Sequence, residues 1–199
     1  MPPAGRPPTG RRSSRTTAPP DAAGAPRVRT FGGAAGYAIE WDVRNAYDFV
    51  FSLSGDAGST EDLPAADRAW LSETRAALPA SIERDRQALF GTELCLNIAA
   101  LAVEEPDARD AAGFVAAVRA AGPVRTIRRI FFEDHVGDPA RAADVDAALA
   151  GDPDARARVE AALPDWRRAE RLEVLRDPHG HHERILRVLE AWAERFSAI

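Results

Sequence analysis

Near Ile39 apolar residues begin to recur at three- and four-residue steps, and they continue to do so to the end of the chain. That period puts them on one face of successive helices. Val43, Ala46, Tyr47, Val50, Phe51 and Ser54 mark the buried face of a first helix that opens around Trp41, reaches Leu53 and is closed by Gly55 and Gly58. Pro64 sits at a first-turn position, with Ala66, Ala69, Trp70, Glu73 and Leu78 following on a second helix. Pro79 interrupts it, and a third segment runs from Ile82 to Phe90. Leu94 to Val103 is apolar on nearly all sides, which predicts a central helix covered by its neighbours.

A further helix is expected from Asp107 to Ala121, burying Phe114, Val115 and Val118 until Gly122-Pro123 stops it. Val124, Ile127, Ile130 and Phe131 then line one face of the next, with Arg125, Arg128 and Arg129 turned outward. Residues 137–150 and 151–164 form a local repeat in which Gly-Asp-Pro opens each copy. Asp supplies the cap, Pro the first helical turn, and Val145/Leu149 or Val159/Leu163 the apolar pair. Two copies are too few for a solenoid, so these helices are expected to connect and shield. Trp166 to Leu175 gives another helix, and Asp177-Pro178 opens a terminal one that buries Ile185, Leu186, Val188, Leu189, Trp192 and Phe196. That helix is expected to run into the chain end without a C-cap, as though cut short or awaiting a further segment.

The predicted fold is therefore all-α, an irregular bundle of about seven to nine helices over residues 39–199. Composition supports it: all 26 basic residues are arginine, 41 residues are alanine, and both types are strong helix formers. The β-branched runs required by a sandwich or a parallel sheet are missing. Residues 1–38 instead mix Pro, Gly, Ser, Thr and Ala with six arginines and one aspartate, and are expected to be a disordered basic tail. Arg11-Arg12 is not followed by an apolar stretch, which argues against an export signal.

Charge separates the two regions. The net −5 resolves into +5 on residues 1–38 and −10 on residues 39–199, where 20 arginines face 30 acids. Phosphate recognition needs a clustered basic face, so the acidic body is a poor candidate for binding nucleic acid directly. No apolar run reaches the ~20 residues of a membrane span, and the expectation is a cytoplasmic protein without a membrane partner. The single Cys95 excludes an internal disulfide and, among Leu94, Leu96 and Ile98, reads as a small buried hydrophobe.

Candidate chemistry is sparse. His179, His181 and His182 precede Glu183, and imidazole is the commonest metal ligand. The spacing differs from a helical H-E-x-x-H pair, leaving His179, His182 and Glu183 as a weak metal set beside the simpler reading of a solvated helical turn. His135, alone after Phe131-Phe132-Glu133-Asp134, reads as a capping or surface residue. Trp41, Arg44, Tyr47 and Asp48 are the densest mixture of aromatic and polar groups. Arg44 and Asp48, four apart, are placed to pair, and with Trp70 this group is the candidate ligand or interface surface, because aromatic and arginine anchors dominate interfaces. No nucleotide loop, nucleophile elbow, kinase set or paired catalytic carboxylates can be read, so neither an enzyme nor a cofactor is expected.

The stretch Ile39-Glu40-Trp41-Asp42-Val43-Arg44-Asn45-Ala46-Tyr47-Asp48-Phe49-Val50-Phe51-Ser52-Leu53, the segment Leu63-Pro64-Ala65-Ala66-Asp67-Arg68-Ala69-Trp70-Leu71 and the Asp177-Pro178 helix together resemble the helical N-terminal region of ArsR-type winged-helix transcriptional regulators. The resemblance implies an all-helical effector-sensing or dimerisation module, acting as a homodimer or with a winged-helix DNA-binding segment. No winged helix lies within these residues, and the family's metal ligands have no counterparts in the His179–His182 run. The alternatives are a stand-alone helical interaction protein and a small metal-binding protein.

Overall fold

The computed structural model describes residues 27–29, 39–41, 44–54, 63–91, 94–132, 138–165 and 168–197, with backbone alone at 27–29, 39–41 and 94–96. The chain divides after Asp42 into two compact units. In the first, β1 (Arg27–Arg29) and β2 (Ile39–Trp41) pair antiparallel, with Arg27 opposite Trp41, Val28 opposite Glu40 and Arg29 opposite Ile39. Trp41 thus lies on a strand and not on the first helix: Ile-Glu-Trp alternates with period two, and a strand partner decides which period is used. Arg27–Arg29 likewise lie in this pair, within the stretch expected to be a disordered tail; the rest of residues 1–38 lies outside the described residues.

The second unit is an all-α irregular bundle with nine helices among the described residues: α1 (Asn45–Leu53), α2 (Ala65–Ala77), α3 (Ala80–Phe90), α4 (Leu94–Glu104), α5 (Ala111–Phe131), α6 (Pro139–Leu149), α7 (Pro153–Ala162), α8 (Arg168–Arg176) and α9 (Pro178–Phe196). Asp110, Asp138, Asp152 and Asp177 cap α5, α6, α7 and α9, their carboxylates accepting from backbone N–H groups of the first turn. Three of these caps are the Asp-Pro pairs visible in the sequence. Gly180 belongs to the last of them, since a Cβ there would sit 2.0 Å from the Asp177 carboxylate.

α5 and α9 pack along each other more extensively than any other pair, and α4, α1, α3 and α6 lean on them. The central helix is therefore not α4. That helix buries Ile98, Leu101 and Ala102 but leaves Val103 64% exposed, because its alanines fill space without defining a buried stripe. The phase of α1 also differs from expectation. Ala46, Phe49, Val50 and Leu53 are buried, whereas Phe51, expected inside, is 48% exposed. On α2, Leu71 and Thr74 are buried and Trp70 half-buried, while Ala66, Ala69 and Glu73 face outward. The repeat behaves as expected: α6 packs on α7, burying Val145, Leu149, Val159 and Leu163. The terminal stripe is buried from Ile185 to Trp192, and Phe196 is half-buried. α9 does end within the described residues, with Ser197 in the C-cap position and its N–H donating to the Ala193 carbonyl.

α5 is two arms joined at Gly122, whose φ of 70° and ψ of 177° break the helical path where the sequence places its stop. Pro123 has no N–H to offer the preceding turn. The Val118 carbonyl, one turn before the break, accepts from His182 Nε2 at 3.2 Å and Thr126 Oγ1 at 3.4 Å. Arg125, Arg128 and Arg129, expected outward, are only half exposed: Arg125 binds Glu104 at 2.9 Å and Glu105 at 2.6 Å, Arg129 binds Glu104, and Arg128 binds Asp146 at 2.8 Å.

A backbone with these angles is open to glycine and strained for any other residue. A Cβ at Gly122 would meet nothing within 4 Å, so the cost of substitution is conformational. Gly122→Ala is expected to lower stability by about 1–3 kcal/mol in urea denaturation; unchanged stability would show that the break is not held by the backbone.

Candidate functional site

The most elaborate constellation lies where α1, α3 and α9 meet. Arg86 on α3 is 3% exposed, although its neighbours one turn away on the same stripe, Ile82 and Leu89, are apolar. Its Nε and Nη2 donate to the two Glu83 carboxylate oxygens at 2.7 and 2.8 Å, and Nη1 donates to the Leu53 carbonyl at 2.5 Å. That carbonyl ends α1 and lacks an intrahelical donor, so the guanidinium both caps one helix and stays bonded to its own. The guanidinium carbon lies 5.7 Å from the ring centroid of Trp192, which is fully buried on α9. Trp192 Nε1 donates to Ser52 Oγ at 2.8 Å, and Ser52 Oγ donates to the Phe49 carbonyl at 2.7 Å.

Aromatic rings continue outward from this node. Trp70 of α2 meets Trp192 and Phe196 edge-on at centroid distances of 6.0 and 5.9 Å. Phe49 meets Phe196 at 5.5 Å and Phe114 at 6.0 Å in the same manner. Edge-to-face arrangements are the preferred geometry of aromatic pairs. Trp70, predicted as an interface residue, is therefore the outer member of a cluster that runs to the centre of the body.

The other predicted surface residues separate. Trp41 belongs to β2, outside the helical unit. Arg44 is buried at the start of α1, where Nη1 donates to the carbonyls of Glu105 at 2.9 Å and Ala108 at 3.4 Å. Nη2 donates to Tyr47 Oη at 2.5 Å, and the guanidinium carbon is 4.8 Å from the Tyr47 centroid. The Arg44 and Asp48 pair is not formed among the described residues. Asp48 is exposed, and the Arg44 guanidinium is directed to the carbonyls beyond the C-terminus of α4. In return the Ala46 N–H, unsatisfied within α1, donates to the Arg109 carbonyl at 3.2 Å. This corner secures one helix end against another.

Among the described residues the histidines are not gathered into one site. His179 and Glu183 are exposed, His181 donates from Nδ1 to the Asp177 carbonyl at 2.9 Å, and His182 is buried with Nε2 on the Val118 carbonyl. Among the described residues no group of three or more His, Cys, Asp or Glu side chains is disposed to hold a metal ion. The Cys95 side chain and His135 lie outside the described residues. No described helix is long and apolar enough to cross a membrane.

Sequence reasoning missed Arg86, Ser52 and Trp192 as a unit. The available signal was a charged residue on an apolar stripe: Ile82, Arg86, Leu89 and Phe90 share one face of α3. Comparison with known protein families, with curated proteins and with solved structures finds no match to this chain.

The Arg86 hydrogen bonds hold the Glu83 carboxyl below its ordinary value of 4.5, against the opposing effect of burial. A depressed folded-state value means that the pair's stabilisation is present above the ordinary value and lost as pH falls through the depressed one. Urea denaturation at pH 7 and pH 3 is expected to show a smaller acid-induced loss for Glu83→Gln than for the wild type. Equal losses would rule out Glu83 as a contributor to acid sensitivity.

Proposed function

We propose that the helical body is an effector-sensing or dimerisation module of an ArsR-type transcriptional regulator, acting through protein contacts and not through catalysis. The observation that carries this reading is the pair of large apolar side chains on the outer faces of α1 and α4, Phe51 and Val103, on two helices that pack together. Exposed apolar groups on a rigid helical support are the raw material of a protein interface. The acidic surface is consistent with leaving the DNA to a separate basic segment. The resemblance of residues 39–53, residues 63–71 and the Asp177-Pro178 helix to the helical region of such regulators supports the same role.

Sedimentation at tens of micromolar tests the dimer. The expected species is a homodimer of about twice 21.5 kDa, converted to monomer by Phe51→Glu/Val103→Glu without loss of helical circular dichroism. A wild-type monomer over this range would remove the dimerisation reading. A gel shift then tests the regulator reading, with the body supplied in trans to a winged-helix DNA-binding segment and salt varied. Altered DNA affinity is expected; no effect at any salt would favour a helical interaction protein without a DNA link.

A further inference from the structure

We infer that the two-stranded ribbon of the first unit, through the face that carries Arg27, Arg29, Ile39 and Trp41, binds single-stranded nucleic acid. This surface lies outside the helical body and is independent of the role proposed for that body.

Charge divides between the two units as sharply as fold does. The first, Met1–Asp42, holds six arginines against Asp21, Glu40 and Asp42, a net +3, while the second holds 20 arginines against 28 acids. The cationic unit is the one in which a polyanion finds favourable charge, and neutralising phosphates with arginine releases their counterions. Within it, the register of the ribbon sorts the charges by face. Alternate residues of a strand share a face, and so do residues directly opposite one another on antiparallel strands. Arg27 and Arg29 therefore share one face with their partners Trp41 and Ile39, whereas Val28 and its partner Glu40 belong to the other. One face carries both cations and the aromatic residue, and the only acid of the two strands is on the opposite one.

That combination selects the ligand. Arginines two residues apart, about 6.6 Å along a strand, are spaced to follow the phosphates of one nucleic-acid chain. Arginine also stacks its planar group on bases, which lysine cannot do. An indole stacks on a base only where the face of that base is open. In a duplex both faces are covered by neighbouring pairs, so the tryptophan favours an unpaired strand. A membrane surface would instead be served by a continuous apolar face, which Arg27 and Arg29 interrupt. A sheet of two three-residue strands is marginal in water unless something packs against it, and the described residues supply no third strand. A bound strand supplies that packing, so the ligand orders the ribbon.

Fluorescence anisotropy of a labelled oligothymidine of about 16 nucleotides, titrated with the full chain at several salt concentrations, tests this. Saturable binding is expected, at least about tenfold tighter than to a duplex of the same length or to phosphatidylglycerol vesicles. Arg27→Gln/Arg29→Gln is expected to weaken it and to flatten the slope of log affinity against log salt by about 1.4, two phosphate contacts at about 0.7 each. Trp41→Val, which removes the ring but keeps a strand former, is expected to weaken binding at least about fivefold, and Trp41→Phe to restore most of it. Val28→Thr, on the other face, is expected to leave affinity within about twofold. No binding at low salt, binding to duplex or vesicles as tight as to the single strand, or equal losses from Trp41→Val and Val28→Thr would overturn the site. None of these outcomes bears on the oligomeric state read by sedimentation, so the two proposals stand or fall separately.

Discussion

Arg86 brings a guanidinium into the interior between α1, α3 and α9, and its partners determine how those helices sit. It is satisfied by Glu83 on its own helix, by the terminal carbonyl of α1 and by the face of Trp192. Removing any one leaves a buried charge or carbonyl without compensation, a cost of about 1–3 kcal/mol or more. Trp192 then fixes α9, and its Nε1 reaches Ser52 on α1 across 140 residues of sequence. The aromatic cluster beyond it, to which Trp70 of α2 belongs, depends on that placement.

The same problem recurs elsewhere in the body. Short helices end often, and every end exposes carbonyls or N–H groups that need partners. Arg44 supplies donors to the carbonyls of Glu105 and Ala108, while Arg109 returns an acceptor to Ala46. His182 and Thr126 serve the Val118 carbonyl at the Gly122 break. Aspartates cap helix starts locally, but the end of α1, the carbonyls beyond α4 and the break in α5 are also served by side chains from other elements. An arginine-only basic set suits this work, since one planar guanidinium bonds several carbonyls and still stacks on a ring.

That distinction explains what could be read from the sequence. The Asp-Pro starts, the Gly122-Pro123 stop, the paired α6 and α7 stripes and the buried face of α9 follow from local rules, and all are present. The phase of α1 is not legible locally, because Phe51 and Phe49 are both plausible core residues and only the position of α4 and α9 selects Phe49. Trp41 was misplaced because a strand depends on a partner far along the chain, at Arg27. His182 lies within a polar run that reads as a solvated turn, yet a carbonyl 64 residues away makes it a buried donor. Of the candidate surface, Trp70 is half-buried against Trp192 and Phe196, Arg44 and Tyr47 become a structural corner, and Asp48 stays in solvent.

A body organised in this way directs much of its polar chemistry inward, to hold helices, and leaves Phe51 of α1 and Val103 of α4 exposed. Its integrity rests on Arg86 and Trp192 acting together. A double-mutant cycle on Arg86→Met and Trp192→Leu, read by urea denaturation, tests this most directly. The two changes are expected to be coupled by about 1 kcal/mol or more, as for residues in one buried network. Additivity within about 0.5 kcal/mol would contradict it, because independent sites behave in that way.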